Sequence, residues 1–423
     1  MTALHNETSR TRLGAQSSLG AAASTMKDLE VIGPANPLGE STQKSAPNNA
    51  QRRRRRDYAA KIRLQKSDSP VKFGVYMKAI PTALGASATP HTFDHASALS
   101  HQLLYRAIFG GELAPTAGST IASFTGTPVD TITVATGHGV RFVPGQVIVI
   151  PRDGEQPWVR RVTGVSGDAV TFSPPLGSGE EPDVDGPVRS TYCYFMAERD
   201  SQTFTVEHLA REDGTPETQM RALAVYGSGS FKLTINEAAE VTFDGMSCSH
   251  TTPDDLSISD DPVADDMGLP MVWQPVIWHA SLATAPAVAD ISTMTFNLAR
   301  KWQKVPGAVL EGVGSVHEIA GRGEPLEIDC EGLFSNEEWA DFVAQTEKAF
   351  VAYTVVGVGA DARVCGFWCP RAIVIESPTI GAMDALMSRK FKLRPLMATD
   401  IAGATPALSV AEIRTSNLVF FAG

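Results

Sequence analysis

The sequence predicts a mainly β protein: two similar β-domains, each with one flanking helix, and a small β-barrel inserted in the first. Three observations predict it. The 423-residue chain is rich in turn formers, with 36 Gly and 27 Pro, while aromatic residues make up only 7%. Short alternating runs of apolar and polar residues recur between clusters of Gly, Pro, Asp and Ser. A strand-turn-strand stretch also occurs twice without a gap, Gly227–Met246 and Gly314–Leu333, at an offset of 87 residues. Its identities are Gly227/Gly314, Ser228/Ser315, Glu237/Glu324, Glu240/Glu327 and Gly245/Gly332. Repetition of a β-unit points to assembly rather than catalysis.

Size and composition bound the rest. A chain of this length holds two or three domains, and 43% hydrophobic residues support real cores. Five scattered cysteines (Cys193, Cys248, Cys330, Cys365, Cys369) do not make a disulfide framework. Cys365 and Cys369 lie in a strand-like run with no His pair, so they read as packing. No apolar run reaches the length of a membrane span, and the N-terminus lacks a signal-peptide core, so a soluble cytosolic product is expected. The net charge of -11 is unevenly spread. Residues 1–115 carry 15 Lys/Arg against 8 Asp/Glu, and all the excess acid lies beyond them. Such asymmetry fits surfaces of opposite sign that meet between copies, or a surface that repels a polyanion.

Residues 1–57 are polar and weakly patterned, and read as an arm that orders on a partner. Within it, Arg52–Arg56 reads as a solvated or inter-subunit basic face rather than a nucleic-acid site, because no aromatics interleave. Residues 58–117 and 191–258 form the first β-domain. Strands are expected at Ala59–Lys66 and Val71–Ile80, and a helix at Asp94–Phe109. Asp94 caps that helix, Leu99, Leu103, Leu104, Ala107 and Ile108 form its stripe, and Gly110-Gly111 ends it. His91, His95 and His101 are not read as metal ligands, since only Asp94 accompanies them. Residues 118–190 carry short strands at Thr131–Ala135, Gln146–Ile150, Trp158–Val165 and Ala169–Phe172, which predict the inserted small barrel.

Residues 259–274 read as the body of an acidic linker. Asp254, Asp255, Asp260, Asp261, Asp265 and Asp266 lack the Gly and terminal Glu of a calcium loop. Residues 275–396 form the second β-domain. Its helix is announced by the capping box Ser335-Asn336-Glu337-Glu338, with Trp339, Phe342, Val343 and Phe350 as the expected buried stripe. Residues 397–423 read as a C-terminal arm whose apolar Leu418-Val419-Phe420-Phe421 packs on a neighbour.

The order of these elements resembles the tail tube (major tail) proteins of long non-contractile-tailed bacteriophages, of the two-domain type. Arg12–Gly20 is similar to how many of them begin. Thr203–Glu207, Tyr226-Gly227 and Phe243-Asp244-Gly245 resemble their central sheet. So do Phe296-Asn297-Leu298, Gly312–Gly314, Cys330-Glu331-Gly332, the capped helix and Cys369–Ala372. The segment 118–190 resembles their extra module. One departure stands out: the helix precedes the repeated stretch in the first half and follows it in the second.

The resemblance implies a structural subunit, not an enzyme, that polymerises as stacked rings into a hollow conduit for viral DNA. It implies homotrimeric, pseudo-hexameric rings, other tail proteins at the tube ends, no cofactor and no membrane. The protein would be made in the bacterial host cytoplasm and reside in the virion. DNA would pass without specific binding, because an acidic lumen does not hold it. Alternation along strands makes Glu207, Glu240, Thr242, Asp244, Glu327, Asp329 and Glu331 the lumen-facing candidates. The alternative is a β-rich virion or surface component for binding or adhesion that does not polymerise. An enzyme built on Ser247-Cys248-Ser249-His250 with Asp254 and Asp255 is disfavoured, because no nucleophile elbow or phosphate loop accompanies them.

Overall fold

The computed structural model describes residues 10–17, 22–33, 37–38, 43–45, 64–66, 69–80, 98–197, 202–212, 215–247, 249–251, 271–273, 276–280, 290–298, 300, 302–305, 315–318, 326–333, 337–359, 362–383, 386–399 and 408–423. The chain opens with β1 (Arg10–Ala15), β2 (Lys27–Leu29) and β3 (Val31–Gly33), then the two-stranded ladder β4 (Gln43–Ser45) and β5 (Leu64–Lys66). In β6 (Ser69–Tyr76) Val71, Phe73 and Val75 point into the core, and Lys72, Gly74 and Tyr76 point away. Helix α1 (Ser100–Phe109) follows, then β7 (Gly110–Leu113). Gly110 ends α1 in the left-handed conformation, φ 83°, which glycine adopts without steric cost. The helix starts at Ser100, where the Gln102 side chain accepts a hydrogen bond from the Leu99 amide. The expected cap Asp94 lies outside the described residues.

The inserted module is β8 (Ser119–Gly126), β9 (Val129–Val134), β10 (Val147–Arg152), β11 (Glu155–Ser166), β12 (Ala169–Ser173) and β13 (Pro187–Ser190). These six strands close into a barrel in the order β10–β11–β12–β9–β8–β13. The sequence reading located the middle four strands; the two it missed, β8 and β13, are the ones that close the barrel. The chain then re-enters the body with β14 (Tyr192–Met196), β15 (Phe204–Glu212), β16 (Thr215–Thr234), β17 (Glu240–Ser247) and β18 (Ser249–Thr251).

The second half runs β19 (Val276–Ala280), β20 (Ile291–Leu298), β21 (Trp302–Val305), β22 (Ser315–Glu318) and β23 (Glu327–Leu333). Helix α2 (Glu337–Ala344), β24 (Lys348–Val356), β25 (Arg363–Val374), β26 (Thr379–Met383) and β27 (Leu386–Pro395) follow. Helix α3 (Leu408–Thr415) and β28 (Val419–Ala422) end the chain.

The internal repeat is present, but it pairs different strands from those the sequence offset matched. β16 and β17 form a hairpin, with Phe231 opposite Val241. The presumed second hairpin is not one: β22 pairs with β21, and β23 pairs with β20 and β27. In element order, β3, the β4–β5 ladder, β6, α1, β7, β14, β16 and β17 correspond to β20, the β21–β22 ladder, β23, α2, β24, β25, β26 and β27. The ladders agree. β3–β6, β6–β17, β17–β16 and β7–β14 have counterparts in β20–β23, β23–β27, β27–β26 and β24–β25, all antiparallel. Each helix therefore follows the second main-sheet strand of its unit, β6 or β23, and the departure in helix order disappears.

The two units share one sheet, β3–β6–β17–β16–β20–β23–β27–β26, joined by β16–β20. A continuous buried row crosses six of its strands: Val75, Val241, Phe231, Phe296, Ile328 and Leu393. A second sheet, β19–β24–β25–β28–β14–β7, lies behind it. Between them sits an aromatic core. Phe296 stacks on Phe367 at 3.9 Å, and Phe231, Tyr105, Phe109 and Phe367 surround Phe420 within 6 Å. The side chains of the second sheet that point the other way, among them Val351, Tyr353, Trp368, Val419 and Phe421, pack against Val147, Val149 and Val159 of the barrel. The barrel is thus fixed behind the second sheet by a dry core. Arg189 adds a hydrogen bond to the Ala362 carbonyl, and Arg161 one of 3.1 Å to the Arg414 carbonyl.

Three further expectations are corrected. The C-terminal segment is not an arm on a neighbour, because β28 lies between β14 and β25 of its own chain with Phe420 and Phe421 fully buried. The N-terminal 57 residues are not wholly an arm either. β1 pairs with β15 along its length, Leu13 is buried, and β2 and β3 belong to the body. Within the expected linker, Met271 and Trp273 are buried and hydrogen-bond to the Met77 and Glu237 carbonyls. Arg52–Arg56, His91, His95 and Asp254–Asp266 lie outside the described residues.

Candidate functional site

Strand alternation sets the chemistry of the first sheet. Its inward residues are apolar, so its other face is left to polar residues. Lys72 and Tyr76 of β6 and Glu240, Thr242 and Asp244 of β17 lie on that open face. Ser228, Ser230 and Lys232 of β16 and Thr293, Thr295 and Asn297 of β20 continue it. Glu327, Asp329 and Glu331 of β23 and Lys390, Lys392 and Arg394 of β27 complete it. Six of the seven candidates read from the sequence therefore share one surface: Glu240, Thr242, Asp244, Glu327, Asp329 and Glu331.

Glu207 does not belong to it. Its side chain is 2% exposed, with Arg221 at 2.7 Å and Arg12 at 3.8 Å. Alternation placed it correctly on a strand, but the opposed strands β1 and β16 each bring an arginine to the same side. A buried carboxylate held by two guanidiniums is structural.

The open face carries cations beside its carboxylates, and most of both are paired. Lys390 reaches Glu331 at 3.2 Å, and Arg394 reaches Glu327 at 3.0 Å. Lys392 stands 3.1 Å from Glu376, 3.7 Å from Glu327 and 3.9 Å from Asp329. Lys72 stands 3.9 Å from Asp244. The face carries six carboxylates, Glu240, Asp244, Glu327, Asp329, Glu331 and Glu376, beside five cations, Lys72, Lys232, Lys390, Lys392 and Arg394. The hydrogen bond and charge of Glu376 raise the pKa of Lys392. Solvent screens exposed pairs of this kind, so they add little stability. What the ladder supplies is an even distribution of charge rather than stability.

Two shallow clefts indent this face. One is lined by Thr293, Thr295, Asp329, Glu331, Lys390 and Lys392; the other by Lys72, Ser228, Ser230, Thr242, Asp244 and Asn297. Neither gathers a nucleophile, a base and an oxyanion donor. Among the described residues no group of His, Cys, Asp and Glu is placed to hold a metal ion. Cys365 and Cys369 face the central core, and burial pushes both thiols well above their ordinary value. His101 is also structural, with its Nε2 3.0 Å from the Tyr76 carbonyl.

One pair in the barrel looks like a nucleophile and its base. Ser119 Oγ lies 2.9 Å from His138 Nδ1. The other ring nitrogen, Nε2, lies 2.7 Å from an Arg141 guanidinium nitrogen, which can only donate. Nε2 is therefore the acceptor and Nδ1 carries the proton, so the ring donates to Ser119 and does not take its proton. Ser247 of the other imagined constellation is fully buried, while Cys248, Asp254 and Asp255 lie outside the described residues.

No helix among the described residues is long and apolar enough to cross a membrane. The two ends of the first sheet are β3 and β26, each hydrogen-bonded on one side only among the described strands. No family model matches the chain, and no curated protein matches it.

Proposed function

We propose that the protein is the structural subunit of a bacteriophage tail tube, assembling as stacked rings into a hollow conduit for viral DNA. The observation that carries the reading is the eight-stranded sheet with one apolar face, one polar face and a free strand at each end. Such a sheet is stable in water only when its edges are managed, and closure into a barrel removes edges altogether. The duplication supplies the ring arithmetic. Three chains of eight strands give 24 strands. At about 4.8 Å spacing and about 40° tilt, that is a barrel of about 48 Å diameter. Side chains of roughly 5 Å on each side leave a bore of about 38 Å, ample for a duplex.

In this assembly the open face lines the lumen, and the barrel of β8–β13, fixed behind the second sheet, points outward. A lining whose carboxylates slightly outnumber its cations does not hold a polyanion. DNA is held by released counterions when cations act unopposed. Here the cations are paired with carboxylates on neighbouring strands. The protein would reside in the virion, with other tail proteins at the tube ends.

The test is negative-stain microscopy and mass measurement of the purified chain. Stacked rings or tubes with an open centre are expected. A monomer that persists at high concentration would sink the proposal and favour the second reading, a non-polymerising virion or surface component that binds through its barrel.

A further inference from the structure

The two repeats differ in one respect that identifies a contact surface. The first unit ends in β16, and β16 is not left free: β20 of the second unit pairs with it, Phe231 directly opposite Phe296. The second unit ends in the equivalent strand, β26, and no described strand covers its outer side. The strand equivalent to β20 is β3, whose outer side is likewise uncovered. A chain that already contains one finished junction thus carries the two unfinished halves of a second.

The side chains agree. Ile380 lies opposite Arg389 on β27. Cross-strand partners share a face, and Arg389 is buried behind the sheet, so Ile380 points to the core side as Phe231 does on β16. Phe231 is fully buried, whereas Ile380 is 60% exposed. The helices repeat the pattern. α1 lies against the finished junction: Ile108 contacts Gly229 of β16, and the Ile108 carbonyl accepts a 3.1 Å hydrogen bond from Arg300, just beyond β20. α2 follows β23 as α1 follows β6, packs on β25, and is tied by Glu338 to Arg389 of β27, 2.5 Å away, the residue opposite Ile380. Its outward residues are Trp339 and Val343, both more than half exposed. On the other free strand, Val31 lies opposite Val75 and packs on the core, while Ile32 lies on the open face beside Gly74 and is 44% exposed.

We propose that β26, with Ile380 and the Trp339/Val343 side of α2, is the docking surface for β3 of a second copy of this chain. The junction copies β16–β20 in strand sense and order. The strand directions permit it: along the sheet β26 runs parallel to β16, and β3 runs parallel to β20, so β26 meets an incoming β3 antiparallel. The contact is heterologous, head to tail, so it is not a two-fold dimer, and it builds a closed ring where the rotation between copies closes, as the tube reading requires. This rests on the tube reading and adds to it which strands meet and in which direction.

Two single variants, Ile32→Asp and Ile380→Asp, test it by mixing full-length chains. Both positions are exposed, and unchanged circular-dichroism melts show that the chains fold. A charge on a free edge discourages strand addition. Each variant alone should form no rings in end-on micrographs and run as a monomer in light scattering. Mixed one to one, they should give a species of twice the chain mass and nothing larger, since only one good junction can form. Trp339→Ser should raise the concentration needed for assembly about tenfold, as the loss of one modest apolar contact does. Wild-type rings with either Asp variant still forming rings would overturn the junction while leaving the tube proposal intact. A mixture that stays monomeric would do the same. A wild-type chain that never self-associates would overturn both.

Discussion

The two helices hold the same place in two copies of one unit, yet they are buried in opposite senses. α1 turns nearly its whole surface inward, with Leu104, Tyr105, Ile108 and Phe109 all fully buried. α2 turns two carboxylates inward and its tryptophan outward. Glu338 and Asp341, one turn apart, are almost completely buried and meet Arg389 and Lys348 at 2.5 and 2.7 Å. The difference follows from what lies beside each helix. α1 is enclosed by the second repeat and by β1, β2 and β14, while α2 stands at an open end of the sheet. Duplicated elements keep their place in the topology, and the neighbour decides which residues they bury.

The largest effect that would break this comparison lies at the finished junction. Phe231 packs against Phe109, Phe367 and Phe420 with ring centroids 5.0 to 5.7 Å apart. Phe231→Ala should cost about 3–5 kcal/mol, the range for emptying a buried aromatic site. Denaturant unfolding should show a lower midpoint, and a loss below about 1 kcal/mol would mean that the two repeats do not share a core.

Next in size is the inward charge of α2. Burial lowers the pKa of the Arg389 guanidinium, and the Glu338 charge partly offsets that, so the carboxylate is the counter-charge of a buried cation. Glu338→Ala should cost about 3 kcal/mol or more, because a buried cation loses its counter-charge. The double variant Glu338→Ala/Arg389→Met should recover much of that loss. Equal stabilities for the single and double variants would show that α2 is not held by this pair.

Much of this pattern was legible in the sequence, and the gaps have a common cause. Alternation in Glu240–Asp244 and Glu327–Glu331 gave the strands and their open face, because that signal is local. The capping residues gave the position of α2, also a local signal. Its buried face was misjudged because Trp339 and Val343 are apolar and Glu338 and Asp341 are not. The reason for the inversion is Arg389, distant in sequence, which burial forces to find a carboxylate. Phe350, assigned to the same stripe, is buried in β24 instead. Glu207 failed in the same way, through Arg12 and Arg221. A repeat is legible, but the gapless 87-residue offset and its five identities match β17 to β23. Ladder partners, which reveal that β17 corresponds to β27, are non-local and leave little trace in a single chain.

A smaller effect sharpens the α1 side of the comparison through pH. Tyr105 of α1 is clamped to the chain just after β6 by two hydrogen bonds with the Lys78 backbone, 2.9 and 3.1 Å, and the Lys78 ammonium holds Glu30 at 2.7 Å. The hydrogen bond from Lys78, and then its charge, lower the pKa of Glu30. A carboxyl with a depressed folded pKa stabilises the fold above its unfolded value, about 4.3, and that contribution is lost as pH falls through the folded value. Glu30 is mostly exposed, so the contribution is no more than about 1 kcal/mol. Glu30→Gln should therefore unfold at the same midpoint as wild type near pH 3 and slightly earlier at pH 7. A Gln variant with wild-type stability at both would dismiss the pair.

The smallest expected effect on stability is the most informative about assembly. Trp339 and Val343 of α2 face away from the body, and Trp339 has Phe342 for company at 6.1 Å. Removing an exposed apolar side chain from an isolated chain changes stability by no more than about 0.5 kcal/mol. Trp339→Ser should thus melt with wild type in dilute solution, where no second copy covers it. At concentrations where wild type assembles, bound neighbours stabilise the folded chain by mass action, and the variant should fall behind. A melting difference that widens with concentration would place the tryptophan at a contact between copies. A difference of the same size at every concentration would make it an ordinary packing residue, and the contrast with α1 would lose its meaning.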